Sequence, residues 1–418
     1  MSEPQTQSGR RRLSQSELNF VIESHERFIT GRPGGKRASL RFMTLSGLDL
    51  SYRNLSDADL SASIFDGCKM IGIKLERANL FGSDLRKADL RQADLRRADL
   101  RGVCLRGANL TQADMTKADF REGQIAIPHP SRGLESLHHQ TRVAFIDDAI
   151  FAGATFDDAQ LDGASAFKAD FSDCSMLGAK LDGANLKEAN LSGAILEGAS
   201  VGGANFEGAN LEGSVLTGVD IGTAKMSGAR MKGVLSAPSS DAIAKAPGLV
   251  EAIMANLIWC KTGGANGKPA AMDGMDLRPL ADALRGARLT AASFRDACLV
   301  GMDLSGAHLQ GAMLEGADLR GAILKGADLR GAKLAGANLT KADLRDAALG
   351  ALPLTPGRAS PATLANSRMR YAQVQAADLT AAILDDADLR GCDFTGAILL
   401  GVNLKSVDWS MAVGMERR

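Results

Sequence analysis

From Leu85 to Leu110 the chain reads LRKADLRQADLRRADLRGVCLRGANL, a large apolar residue returning at every fifth position. An amphipathic helix buries residues with a period of 3.6 and a half-buried strand with a period of 2, so this beat belongs to neither. With the large apolar residue taken as the centre i, position i−2 is Ala or another small residue, i−1 is mostly Asp or Asn, and i+1 and i+2 are polar, charged or Gly. Two inward positions per repeat, one large and one small, describe a narrow core of stacked layers.

The beat runs outward from this stretch in four arrays. Centres fall from Leu40 to Ile125, from Ile146 to Met231, from Leu289 to Leu349 and from Leu364 to Trp409, giving 59 repeats. On these residues the chain resembles the pentapeptide-repeat family, A-(D/N)-L-x-x, and so many copies make the match far more specific than one short motif. The resemblance implies an all-β solenoid, a right-handed quadrilateral β-helix with four pentapeptides to each square coil. Successive coils are then spaced like paired strands, about 4.8 Å apart, and stability accumulates coil by coil.

The interruptions divide the chain. Residues 1–13 are polar and Arg-rich and read as a disordered tail, and 14–37 as an N-terminal helical cap. There Ser14 and Glu17 have capping-box spacing, and Leu18, Val21, Ile22, His25, Phe28 and Ile29 form an apolar face. Array 1 covers 38–125, a loop 126–143, and array 2 covers 144–232. A second helical cap takes 233–288, array 3 covers 289–350, a loop 351–361, and array 4 with the C-terminal end 362–418. Aligning Phe28 with Trp259 sets Gly35-Lys36-Arg37-Ala38 opposite Gly267-Lys268-Pro269-Ala270 with one residue inserted. The expectation is a β-helix in two tandem halves, each preceded by a short capping α-helix. Both loops contain a Pro near their start, Pro128 and Pro353, which cannot donate to a ladder, so both are expected to be extruded.

Charge balances overall, with 49 basic and 49 acidic residues, but unevenly: residues 1–125 carry +5 and residues 146–232 carry −7. No run of 18 apolar residues occurs and no signal-peptide core opens the chain, so a cytoplasmic protein with no membrane partner is expected. Cys68, Cys174 and Cys392 stand at i−2, Cys104 and Cys298 at i−1, and no C-x-x-C pair occurs, which argues for structural thiols.

Each tempting site has a plainer reading. Arg86, Arg91, Arg96, Arg101 and Arg106 all stand at i+1, but on a square coil they encircle the rod, only Arg86 and Arg106 share a face, and aspartates neighbour them. With no aromatics interleaved to stack on bases, no nucleic-acid partner is expected. His129, His138 and His139, with Glu135, Asp147 and Asp148 nearby, match no zinc spacing. His25 reads as a packed or capping side chain, and His308, at i−1, as exposed. Gly31–Lys36 lacks phosphate-loop spacing and follows a helix. No catalytic, cofactor-binding or metal residues are assigned, and no cofactor is expected.

The function expected is therefore a non-enzymatic scaffold that presents a rigid surface to a protein partner. Some pentapeptide-repeat proteins mimic duplex DNA and modulate DNA gyrase, which is the first alternative. Neutrality, the Arg-rich first array and the internal cap depart from that pattern. A secreted effector is the second alternative. Trp409, Met411, Val413 and Met415 make the C-terminal end apolar, which calls for either a short covering segment or a self-association surface, and hence a homodimer through that end.

Overall fold

The computed structural model describes residues 10–129 and 133–415, with the main chain alone for 125–129, 133–140 and Asp282. It divides into two compact units, Met1–Ala237 and Pro238–Arg418. Each unit contains one long helix followed by coils.

The repeat builds its own turn. In Leu45–Leu48 the i+3 N–H donates to the carbonyl of the centre at 3.1 Å, closing a β-turn. The i+2 residue takes φ near +60°, as at Gly47 (74°), Lys87 (54°) and Arg97 (58°). That left-handed conformation is the reason Gly is common at i+2. The i+1 N–H points away from the ladder and is met by the side chain at i−1: Asp114 Oδ1 accepts from Thr116 N–H at 3.0 Å, and Asn109 Oδ1 from Thr111 N–H at 3.0 Å. Asp and Asn hold this position because they are short enough to reach two residues on. Where Arg follows at i+1, it grips the same carboxylate through two nitrogens, as Arg96 does Asp94 at 2.8 and 2.6 Å.

Four such turns complete a coil. Leu90 N–H donates to the Asn109 carbonyl at 2.7 Å, and Asn109 N–H donates back to the Ala88 carbonyl at 2.9 Å. The resulting parallel ladder joins residues twenty apart, from Ser39 with Asp59 to Val215 with Leu235 in the first unit. The extended part of each face is so short that only single bridging residues pair. Among the described residues, longer strands occur only where the chain leaves the coil. The centres and the i−2 alanines form the core, with Leu95, Ala93, Leu329 and Ala327 all at most 1% exposed. Several hydroxyls and thiols at i−2 donate to a carbonyl of the preceding coil, although the buried Ser214 and Ser367 hydroxyls have no hydrogen-bond partner among the described residues. Ser83 Oγ donates to Leu60 O at 2.9 Å and Cys68 Sγ to Leu45 O at 3.0 Å. Burial pushes the Cys68 thiol up to about 11, so it stays protonated at neutral pH. The second array adds an aromatic cluster to its core, in which the rings of Phe151 and Phe171 stack at 5.0 Å.

Several expected boundaries move. Within the expected disordered tail, Leu13 N–H donates to Thr44 O, Thr44 N–H to Arg11 O, and Leu13 is buried, so residues 11–13 pair with the first coil; residues 1–9 lie outside the described residues. The first loop is an antiparallel hairpin of β1 (Gly123–His129) and β2 (Gly133–Arg142), which takes in Ile125, the expected last centre of array 1. The second is a hairpin of β3 (Leu352–Thr355) and β4 (Arg358–Ser360). Neither breaks the ladder, since Cys104 bridges Phe145 and Lys333 bridges Thr363 beneath them.

The second helical cap is shorter than expected. α2 (Ser240–Lys261) is its helix, and coil structure already begins at Ala271, with Met272 and Leu277 fully buried. This first coil of the second unit is longer by two residues, because a 3-10 turn over Arg278–Leu284 separates Leu277 from the next centre, Leu284. That insertion contributes to the phase shift between the arrays.

The inward and outward assignment makes a ranking that thermal melts will check. Leu95→Asp or Leu329→Asp loses about 2 kcal/mol of apolar burial and buries an unpaired carboxylate, so each should abolish or strongly lower its unit's transition. Arg96→Ala removes an ion pair whose guanidinium side is half exposed and should change stability by no more than about 1 kcal/mol.

Candidate functional site

Chemistry in this chain is concentrated where helices meet first coils, because a coil at the start of a stack has N–H donors with no preceding coil to accept them. α1 (Gln15–Ile29) begins at a capping box, in which the Glu17 carboxyl accepts from Ser14 N–H at 2.8 Å. That bond, together with the Arg11 guanidinium, holds the Glu17 carboxyl down at about 2. The helix buries Leu18, Ile22 and His25 against the coil and leaves Phe28 45% exposed, outside the expected apolar face. Three of its groups answer coil donors. His25 Nδ1 accepts from Ala38 N–H at 3.0 Å, Gln15 Oε1 from Asp49 N–H at 2.9 Å, and Glu26 Oε1 from Asn54 N–H at 3.1 Å. Glu26 also receives Arg53 at 3.0 and 2.9 Å.

The same plan recurs at α2. Leu249, Ile253 and Asn256 are buried, and Asn256 Oδ1 accepts from Ala270 N–H at 2.6 Å while its Nδ2 donates to Arg288 O at 3.0 Å. Under the alignment of the two caps, Leu249, Ile253 and Asn256 stand opposite Leu18, Ile22 and His25. Both caps then turn on a glycine with no room for a side chain. A Cβ on Gly35 would overlap the Phe28 main-chain nitrogen, and one on Gly267 the Ala255 carbonyl oxygen. Lys36 N–H donates to Ser24 O at 3.1 Å, so the Gly31–Lys36 segment folds back on its helix.

α2 differs from α1 in its outer face. Ile243, Val250, Met254 and Ile258 are each 43–58% exposed, and by length and composition the helix is apolar enough to cross a membrane. Beside its last turn a cleft of about 460 Å³ opens between Trp259 and Cys260 on the helix and Arg288, Thr290, His308 and Gln310 on the coil. The sequence marks His308 only as an exposed i−1 residue and Trp259 only as the counterpart of Phe28 in the cap alignment, and it does not point to Asn256 or Arg288. The available signal was that Arg288 and His308, both at i−1, stand one coil apart.

The other residues weighed from sequence are placed as follows. Arg86, Arg91, Arg96 and Arg101 each fork onto the aspartate two residues earlier, with closest contacts of 2.6–2.7 Å. Arg106 follows Cys104 instead of Asp and reaches Asp147 of the next coil at 3.0 Å, over the Phe145 ring. Asp147 is further engaged by Ser165 Oγ at 2.5 Å and Phe167 N–H at 3.1 Å. In the first hairpin, the main chain sets His138 opposite Ile127, His139 opposite Ala126 and His129 opposite Gly133; the side chains of these histidines and of Glu135 lie outside the described residues. Among the described residues no group of three His, Cys, Asp or Glu is placed to hold a metal.

The pentapeptide-repeat family model matches in eight copies, over 45–80, 73–112, 93–124, 167–201, 194–233, 287–326, 312–349 and 372–408. The chain belongs to the pentapeptide-repeat family. Members of known structure form right-handed quadrilateral β-helices, in accord with the twenty-residue coil seen here. Similar solved structures include HetL of the cyanobacterium Nostoc sp. strain PCC 7120, involved in heterocyst differentiation regulation. It is 21% identical over 91% of this chain and 93% of its own, with a TM-score of 0.21. A trypsin-treated QnrB1, a plasmid-mediated fluoroquinolone resistance protein, is 21% identical over 55% of this chain and 92% of its own, TM-score 0.27. A pentapeptide repeat protein of the Arabidopsis thaliana thylakoid lumen is 34% identical over 20% of this chain and 66% of its own, TM-score 0.19. These superpositions are poor, and the family assignment rests on the repeats. No curated protein sequence matches the chain significantly.

The His25 contact has a pH signature. Burial holds the imidazole below its ordinary 6.5, favouring the neutral ring that accepts from Ala38 and shares a 2.9 Å hydrogen bond with Ser56 O. The unfolded chain then takes up a proton near pH 6.5 that the folded cap refuses. His25 therefore contributes fully above that pH and progressively less as pH falls toward the lowered value. In His25→Asn, which copies Asn256, hydrogen exchange of residues 38–59 should lose its acceleration as pH falls below 6.5. An unchanged pH slope would show that His25 does not titrate this cap.

Proposed function

We propose that the protein is a non-enzymatic scaffold whose two coil units hold projecting segments for a protein partner. The observation that carries this reading is the pair of hairpins, each leaving the coil between residues that still bridge beneath it. A coil that continues under its insertions supports them without depending on them for its own ladder. Leu354, at the end of the second hairpin, is 57% exposed and offers an apolar contact. The regular faces favour the same reading, since their acidic groups are largely occupied by arginine forks and turn N–H groups. The two caps, matched at His25 and Asn256, support descent of the two halves from one duplicated unit. The hairpins differ in length and leave different faces, so the duplication reading rests on the caps and coils. Six free cysteines suit a reducing, cytoplasmic compartment.

Deleting 122–142 or 351–360 closes each coil in phase, with Ile146 then five residues after Phe120 and Leu364 five after Leu349. Each deletion should leave the thermal melt nearly intact while removing proteins that co-purify with the full chain from its own cell extract. A co-purified set unchanged by both deletions would exclude the hairpins as the contact.

The C-terminal coil favours self-association in addition. Its centres Leu399, Leu404 and Trp409 are only half buried, and Ile398, Leu400, Met411 and Val413 are 38–72% exposed. Stacking this coil on that of a second copy would cover these residues and extend the ladder. Light scattering should give the mass of two chains for the wild type and of one chain for Leu400→Lys combined with Met411→Lys. A monomeric wild type at micromolar concentration would refute the dimer.

A further inference from the structure

The cleft beside α2 lacks a carboxylate that the first unit supplies for itself. In the first unit, the fourth turn of the opening coil presents the Asn54 N–H and the Arg53 guanidinium, and the Glu26 carboxylate of α1 accepts from both. The matching positions in the second unit are Leu257 for Glu26, Ala287 for Arg53 and Arg288 for Asn54. The acid has gone, and the guanidinium has moved by one residue onto the position that carries the exposed N–H. Among the described residues the Arg288 main-chain N–H has no acceptor and its guanidinium has no carboxylate partner. The nearest acid in its column, Asp328, is already committed to Arg330 at 2.9 and 2.6 Å and to Gln310 at 2.6 Å.

The surroundings suit an anion with a flat apolar body. His308 bridges Arg288 in the ladder, so two nitrogen-bearing side chains are stacked on the coil side of the cleft. Trp259 is half buried and forms the opposite wall. Asn256 fixes the Arg288 main chain by donating to its carbonyl at 3.0 Å, so the N–H is held in place without a ligand. A volume of about 460 Å³ lies at the small end of the range for ligand sites.

The geometry points to a binding site for a small aromatic carboxylate. The carboxylate takes the part of Glu26, accepting from the Arg288 guanidinium and main-chain N–H, and the ring lies against Trp259. A charge-assisted pair of this kind is stronger than a neutral hydrogen bond, and the indole adds stacking area.

Trp259 is one of two tryptophans, so Trp409→Phe makes indole fluorescence report on the cleft alone. Phenylacetate titrated into that full-length variant should give a saturable change with a Kd on the order of 0.1–1 mM. Neutral phenylacetamide should give none. Arg288→Ala should weaken phenylacetate binding at least ~10-fold, and Leu257→Glu should abolish it by supplying the missing carboxylate from the helix, with the thermal melt of both variants unchanged. No saturable change, equal binding of phenylacetamide, or wild-type binding in either variant would overturn the proposal. Inorganic phosphate competing as well as phenylacetate would also overturn it, since the cleft would then be selecting charge alone.

Discussion

Everything in this structure depends on the main-chain hydrogen bonds between residues twenty apart. A typical pentapeptide donates two N–H groups, those of the centre and of i+2, to the following coil and one, that of i−1, to the preceding coil, and this exchange is possible only if every turn closes in the same way. The constraint reaches the side chains directly. A turn with positive φ at i+2 selects Gly or a tolerant polar residue, the stranded i+1 N–H selects Asp or Asn at i−1, and the close passage of neighbouring faces selects Ala at i−2. The Asp-Leu-Arg pattern of the first array is a consequence of turn chemistry, and its ion pairs are local forks instead of a surface stripe.

A ladder that must be continuous also creates a problem at its ends. The first coil of a stack has donors with nothing beneath them, and each unit answers with a helix that turns polar side chains toward the coil. His25 and Asn256 perform the same act with different chemistry, accepting one main-chain N–H two residues before the first buried centre. Histidine brings a titratable ring, held below its ordinary value by burial, to the first cap, where the second has an asparagine that does not titrate. The answer is also less complete in the second unit. Gln15 and Glu26 meet two more coil donors in the first unit, whereas an apolar α2 offers Leu257 in place of the acid. The cleft with its unpaired arginine follows from that replacement together with the arginine's move from the position of Arg53 to that of Asn54.

Projecting segments are tolerated for the same reason that the ends are vulnerable. A hairpin can leave between two faces at little cost when the residues on either side keep their partners in adjacent coils, as Cys104 does with Phe145 and Lys333 with Thr363. The coil then positions variable segments on an invariant frame. This separates what gives the protein stability from what gives it specificity.

The sequence alone determined the coil, because a period of five with one large and one small inward residue admits few packings. It also located both helical caps and the two places where the chain leaves the ladder. Those are local properties, set by residues within a few positions of one another. Tertiary structure decided what depended on distant partners: that Arg11–Leu13 joins the first coil, that Ile125 leaves it for a hairpin, that coil structure resumes at Ala271, and that Arg288 faces Trp259 without a carboxylate. Each of these depends on which main-chain donors are already satisfied by a coil twenty or more residues away, and no local pattern records that.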